Sequence, residues 1–366
     1  MNSSPPVGLA PFVFDIGDSV PDFALPDPNG AMTGLLTHSR GNPIVYIICT
    51  GDYEGMLAPF VAGHAAGAFG NADVFAITRQ RPYDNGILAE RLQIHFGVLS
   101  DEKGVVTTAL ARGDLHPGIP PQIVTLVLDP GLRITSVFRD GDGHVQAEKL
   151  REALSVKGQR SAAMEVFNPA PVLIVPSVLN GRFCQRLRDY FETGPSRMGG
   201  TLDNISGVDN QLKVSSKVRR DLNIGDEALK NEITGLLIRR LLPEIKRAYD
   251  FDVAGAGEFK IGRYDGVDEG HFKPHRDNIA PSVTWRRFAL SLLLNDASEY
   301  DGGGMRFSEY SDHIYGANAG DAIVFSCSLL HEVMAVTRGS RYILLAFLYG
   351  PTELQAMQQG QKNSRQ

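Results

Sequence analysis

The chain is expected to fold as two domains: an α/β unit over residues 7–155 and a β-rich unit over 164–352, followed by a disordered tail at 353–366. Three observations lead there. Its 366 residues exceed the length of one ordinary domain. In the first half, apolar runs of strand length alternate with helical stretches, the pattern of an α/β sheet. In the second half, short β-branched and aromatic runs bounded by Gly, Pro and Asp follow one another.

In the first half, Pro43–Cys49, Asp73–Thr78 and Gln122–Leu128 read as strands, the last closing on Asp129-Pro-Gly131 and followed by Arg133–Arg139. Helices fit at about 55–70, 86–96 and 145–155. The polar stretch Val156–Ala163 is the boundary. The Gln-rich end, Gln355–Gln366, offers little to bury.

In the second half the informative residues are His275-Arg-Asp277, then His331, then Arg341. His-x-Asp alone is weak, since chance supplies about 0.6 such tripeptides at this composition. Pro274 argues against a helix, so His271 and His275 are not a helical metal pair. On a strand, residues 275 and 277 share a face about two rises of ~3.3 Å apart, close enough for one ion. Two imidazoles and a carboxylate are the set that holds non-haem Fe(II) and leaves positions open. Ala322–Phe325 and His331–Val336 read as strands, and Gly339 is expected to turn the chain into a last one, Arg341–Phe347. There Arg341 shares a face with Ile343 and Leu345, a cation aimed into an apolar interior, where an anionic ligand is the natural partner.

These residues resemble the Fe(II)/2-oxoglutarate-dependent dioxygenases, in particular the prolyl-4-hydroxylase-like branch. The resemblance is carried by Tyr264 and Gly266 ahead of His275-x-Asp277, by Arg287–Asn295, Asp301–Phe307 and Gly320–Phe325, and by His331 with Thr337–Arg341. It spans roughly 166–350 and opens with Pro171–Asn180. It implies a double-stranded β-helix (jelly roll) with flanking helices. It also implies Fe(II) on His275, Asp277 and His331, 2-oxoglutarate held by Arg341 and Tyr264, and ascorbate as an auxiliary. The implied reaction hydroxylates an unactivated C–H bond of an amino-acid, peptidyl (prolyl-like) or small-metabolite substrate with O2, yielding succinate and CO2. Met305-Arg306 stands where the family often has Glu-Thr, which bears on substrate contacts. Arg306 is therefore a candidate pocket residue, and His271, on the same strand face as His275, is another, with a solvated position as the alternative for each. Arg287 reads equally as an ion pair, and His313 is the weaker rival for third ligand.

The first half resembles the peroxiredoxin branch of the thioredoxin fold, through Gly17–Gly30 and Phe96–Glu102, with Pro120 or Pro121 at the cis-proline position. Aligning Phe60 with that family's motif puts Thr50 on its threonine and Tyr53 on its reactive cysteine. A phenol cannot attack a peroxide, so the chemistry is expected to be missing. Cys49, four residues earlier, reads as a buried structural thiol.

Net charge is −6 with no basic block, against a nucleic-acid surface. The three cysteines, Cys49, Cys184 and Cys327, show no metal or disulfide spacing. No run has membrane-spanning length, and the start of the chain lacks a leader pattern. A cytoplasmic protein is expected, with a homodimer through the first domain as a candidate assembly. The rival functions are a thiol peroxidase using Cys49 and a sensor or adaptor that binds iron and 2-oxo acid without turnover.

Overall fold

The computed structural model describes residues 13–34, 41–112, 122–157, 165–199 and 216–363. The chain separates into two compact units, Met1–Ala163 and Met164–Gln366.

The first unit contains a hairpin, β1 (Ala24–Pro26) with β2 (Met32–Gly34), and a five-stranded sheet. The sheet comprises β3 (Ile44–Cys49), β4 (Asp73–Thr78), β5 (Gly97–Ser100), β6 (Ile123–Leu128) and β7 (Ile134–Phe138), in the order β5–β4–β3–β6–β7. β3, β4 and β5 run parallel, while β6 and β7 are antiparallel. Every residue of β3 and β6 is buried, which is why both read as apolar runs, with Thr125 in β6 satisfied by Gln146 Oε1 at 2.9 Å. Ile44, Tyr46 and Ile48 enter the core on one face, Val45, Ile47 and Cys49 the core on the other.

The helices are α1 (Tyr53–Ala65), α2 (Pro82–Leu92), α3 (Val105–Ala111) and α4 (Gly143–Lys157). α1 stops short of the expected residue 70 because Gly67 and Gly70 take positive φ. α2 begins at Pro82, a residue suited to a first turn, and ends where Gln93 turns left-handed. The seven-residue α3 was not expected. Pro120 and Pro121 lie outside the described residues.

The second unit is sheet-rich. Its larger sheet comprises, in spatial order, β8 (Leu173–Val175), β19 (Ala322–Ser326), β15 (Phe288–Leu293), β21 (Val336–Tyr349), β13 (Lys260–Asp265), β11 (Arg220–Asn223) and β9 (Arg197–Met198). Short β12 (Gly255–Ala256) and β16 (Tyr300–Gly302) also pair with β21. The smaller sheet is β10 (Lys217–Val218), β14 (His271–His275), β20 (His331–Val333), β17 (Met305–Arg306) and β18 (Ile314–Tyr315). One apolar cluster takes Tyr264, Leu293, Phe325 and Ile343 from the larger sheet and Met305 and Val333 from the smaller, so a core lies between them. A second cluster packs the other face of the larger sheet against α5 (Gly181–Thr193), α6 (Glu227–Arg240) and α7 (Leu242–Tyr249).

Two expectations need correction here. Gly339 does not start a new strand: it lies within the continuous β21 at φ +68, where a Cβ would overlap the Glu299 carbonyl. The tail is not disordered as a whole, because Pro351–Asn363 form helix α8. Glu353 anchors it, buried, accepting from Gly350 N at 3.0 Å and pairing with Arg287 at 2.5 Å. That ion pair also settles Arg287 as structural.

Candidate metal centre

His275 ends β14 directly opposite His331, which opens β20. Both rings are fixed in the same way. His275 Nδ1 lies 2.8 Å from the Lys273 carbonyl and His331 Nδ1 3.0 Å from the Leu329 carbonyl, each two residues back. A ring that donates through Nδ1 presents a bare Nε2 for coordination. The two Nε2 atoms lie 3.5 and 3.4 Å from the two oxygens of Asp277. Asp277 is held in turn by its own N–H, which donates to Cys327 O at 3.0 Å. The potential ligand atoms of all three side chains fall within 4.8 Å of one another.

Electrostatics suit a metal. Burial, the largest effect, pushes His331 down to about 4, so its ring is neutral at pH 7. Burial alone would raise the Asp277 carboxyl, but its contacts with His275 and His331 and the charge of Arg286 hold it below the usual carboxylate range. The walls are aromatic: Phe272 stacks on His275 at 3.4 Å between centroids, and Phe325 meets His331 edge-on at 4.5 Å.

Arg276, between the two β14-side residues, grips Glu309 (Nη2–Oε1 2.5 Å), and Glu309 Oε2 accepts from Leu330 N at 2.8 Å. One carboxylate thus ties the residue after His275 to the residue before His331. Arg286 Nη1 donates to the Asp277 carbonyl at 3.2 Å, with its guanidinium 3.8 Å over Phe347.

Arg341 is directly opposite Tyr264 across the β13–β21 ladder, so the two share a face. Its guanidinium lies 5.5 Å from the Tyr264 ring centre. Arg341 is 2% exposed, and its Nη1 has no hydrogen-bond partner. No carboxylate pairs with it among the described residues. Tyr264 Oη accepts from Arg219 Nη1 at 3.0 Å, and Asp221 holds Arg219 (Nε–Oδ1 2.5 Å) and Lys217 (Nζ–Oδ2 2.7 Å).

Two candidate pocket residues fall elsewhere. A one-residue bulge in β14 lies between Phe272, which pairs with Val333, and His275, which pairs with His331. Phe272, not His271, is therefore in phase with His275, and His271 leaves that face; its Nδ1 lies 2.7 Å from Glu269 O. Arg306 pairs across the ladder with Glu332, one residue out of phase with His331, and the two form an ion pair at 2.8 Å on the opposite face. His313 is exposed.

Arg219, Asp221, Arg276, Glu309 and Arg286 were not singled out from sequence. A usable signal was present for the first two: Lys217, Arg219 and Asp221 alternate, and the structure pairs buried Lys217 and Arg219 with half-buried Asp221.

In the first unit Cys49 is fully buried, and burial together with Asp52 pushes its thiol far above the ordinary range. Tyr53 stands at the first residue of α1.

Residues 259–349 match the 2OG-Fe(II) oxygenase superfamily. A multifunctional procollagen lysine hydroxylase and glycosyltransferase of Caenorhabditis elegans is 32% identical over 183 residues, 47% of this chain and 23% of that protein. A PKHD-type hydroxylase of Caulobacter vibrioides is 28% identical over 176 residues, 46% of this chain and 74% of that one. The chain thus spans under a quarter of the first relative and about three quarters of the second. Among solved structures, a Pseudomonas putida prolyl-4-hydroxylase matches at TM-score 0.38 and 19% identity, over 49% of this chain and 93% of that one. The peroxidoxin BcpB of Mycobacterium tuberculosis matches at TM-score 0.35 and 23% identity, over 40% and 99%. Residues 259–349 therefore carry a 2OG-Fe(II) oxygenase domain, and the His275, Asp277 and His331 cluster lies within it.

Proposed function

We propose that His275, Asp277 and His331 are the ligands of the Fe(II) ion, that Arg341 and Tyr264 seat the distal carboxylate of 2-oxoglutarate, and that the chain hydroxylates an amino-acid or peptidyl side chain. One observation carries the reading: a buried guanidinium with an unsatisfied nitrogen shares an interior with a His-Asp-His cluster. A buried cation is costly without an anion, and a dicarboxylate that also reaches a metal answers both needs.

Bound Fe(II) with 2-oxoglutarate and O2 supplies the oxidation of a C–H bond, with succinate and CO2 as co-products. The protein's own part is orientation. The Lys273 and Leu329 carbonyls fix both imidazole rings, the Cys327 carbonyl fixes the Asp277 backbone, and the Arg276–Glu309 pair locks the two ligand-bearing segments together. Phe272, Phe307 and Phe325 line the centre with apolar surface that excludes water.

The two sheets enclosing this core are read as a double-stranded β-helix, which lets strands of both converge on one interior point. The amino-acid or peptidyl substrate follows from the relatives, one of them named for procollagen lysine hydroxylation. The domain limits are proposed as 7–155 and 164–352, and the first domain is assigned to substrate recruitment or self-association. Three buried free thiols fit a reducing compartment such as the cytoplasm. No described helix is long and apolar enough to cross a membrane.

The test is iron-dependent succinate release from 2-oxoglutarate under air by the full chain, screened over amino acids, peptides and metabolites. Iron-dependent release that one substrate stimulates, with that substrate gaining a hydroxyl, supports the reading. Binding of iron and 2-oxoglutarate without any succinate would establish the adaptor function instead.

A further inference from the structure

We infer that Arg219 is a positioning residue for the co-substrate: by donating to Tyr264 Oη it directs the Tyr264 hydroxyl proton toward the carboxylate bound by Arg341. The inference rests on the co-substrate reading above and assigns a role to a residue outside it.

A guanidinium can only donate hydrogen bonds, whereas a phenol has one proton and two lone pairs. The 3.0 Å bond from Arg219 Nη1 therefore fills an acceptor position on Tyr264 Oη and leaves its single proton to be given elsewhere. No other hydrogen bond to Tyr264 Oη is present among the described residues. The hydroxyl is buried, and it shares a sheet face with the unsatisfied Arg341 Nη1. Two donors, one neutral and one charged, thereby face one anion.

The rest of the arrangement holds Arg219 in that role. Asp221 accepts from Arg219 Nε at 2.5 Å and from Nη2 at 3.1 Å, a two-point grip that fixes the plane of the guanidinium. Lys217 bonds the same carboxylate at 2.7 Å, so its charge is shared and Arg219 is not the sole cation it must balance. Gly262, two residues before Tyr264 on β13, clears the path: a Cβ there would lie 2.9 Å from Arg219 Cδ and 3.0 Å from Nε. A Cβ at that position would crowd the Arg219 side chain where it crosses the strand.

The experiment is calorimetric titration of 2-oxoglutarate into the Mn(II)-loaded full chain, which reads binding without turnover, with Mn(II) affinity measured separately. Arg219→Met is expected to weaken 2-oxoglutarate by roughly tenfold or more, as is Tyr264→Phe, with Mn(II) binding unchanged. The double variant should be no weaker than Tyr264→Phe alone, because Arg219 acts only by directing the hydroxyl that Tyr264→Phe removes. Wild-type affinity in Arg219→Met, or losses that add in the double variant, would overturn the inference. If Arg219→Met fails to fold, Gly262→Ala displaces the same side chain without deleting a charge, and the same two outcomes apply. Failure of the underlying reading is distinguishable: wild-type protein would then not bind 2-oxoglutarate, or Arg341→Met would bind it normally, and the inference would fall with it.

Discussion

Each unit has one place where a reactive group is expected, and the two are built oppositely. At the end of β3 the first unit buries Cys49 in a packed apolar core, ties Thr50 N to the Gln122 carbonyl at 2.9 Å, and starts α1 on a tyrosine. The second unit crowds two imidazoles around one carboxylate and buries a guanidinium with an unsatisfied nitrogen. Buried polar groups are ordinarily paired, so an unpaired one is a cost that a missing ligand can offset. Of these two places, the one in the second unit is therefore organised around something it binds, and the one in the first unit around its own packing.

The most forceful way to break this contrast is to remove a donor. His275→Ala and His331→Ala should each abolish 2-oxoglutarate consumption, and Asp277→Ala should cut iron retention by more than the roughly 10–100-fold that outer hydrogen-bond partners cost. Metal analysis and succinate assay of each variant provide the check; full iron content in any one would remove that residue from the centre.

A pH experiment sharpens the contrast without mutation. His331 titrates near 6.5 when unfolded and at about 4 when folded. Between those values the unfolded chain binds more protons, so metal-free protein is most stable above pH 6.5 and loses stability as pH falls toward 4. The span corresponds to roughly 3 kcal/mol. Asp277, also lowered, extends the loss further into acid. Urea unfolding of metal-stripped protein at pH 7 and 5 should read roughly 2 kcal/mol of it, and His331→Gln should flatten the dependence.

Much of this centre was legible because its chemistry is dense in sequence. His275, Asp277, His331 and Arg341 are rare residue types in apolar, β-prone surroundings, and the cation's need for a partner followed from its strand phase. What misled was phase itself. The reading of His271 assumed an unbroken strand, and a one-residue bulge reverses it. Arg306 was placed by the position where the family often has Glu-Thr, whereas its ladder partner Glu332 fixes its face. The Gln-rich tail hid a helix because one residue, Glu353, supplies its anchor through partners 66 and three positions away. Arg276 and Glu309 meet only in three dimensions, and no spacing rule joins them.

Arg341→Met makes two predictions of opposite sign. Losing a hydrogen-bonded ion pair with the co-substrate should raise the 2-oxoglutarate requirement by roughly tenfold to a hundredfold. Removing a buried cation that has no acidic partner among the described residues should leave the metal-free, ligand-free protein no less stable, and by the burial argument more so. Steady-state kinetics and thermal melts on the same preparation read both. Reduced stability together with an unchanged requirement would mean that Arg341 is paired within the fold.

The smallest effect is expected at the other pole of the comparison. Cys49 is fully buried with its thiol raised far from ionisation, so it offers peroxide neither access nor a thiolate. Cys49→Ala should therefore leave iron-dependent succinate formation unchanged and cost only about 1 kcal/mol of stability in the first unit through lost packing. The wild-type chain should show no thiol-dependent peroxide reduction to lose. Peroxide turnover that disappears in Cys49→Ala and survives iron chelation would reverse the assignment, because Cys49 would then have to leave its core to react, and the first unit would hold a working site of its own.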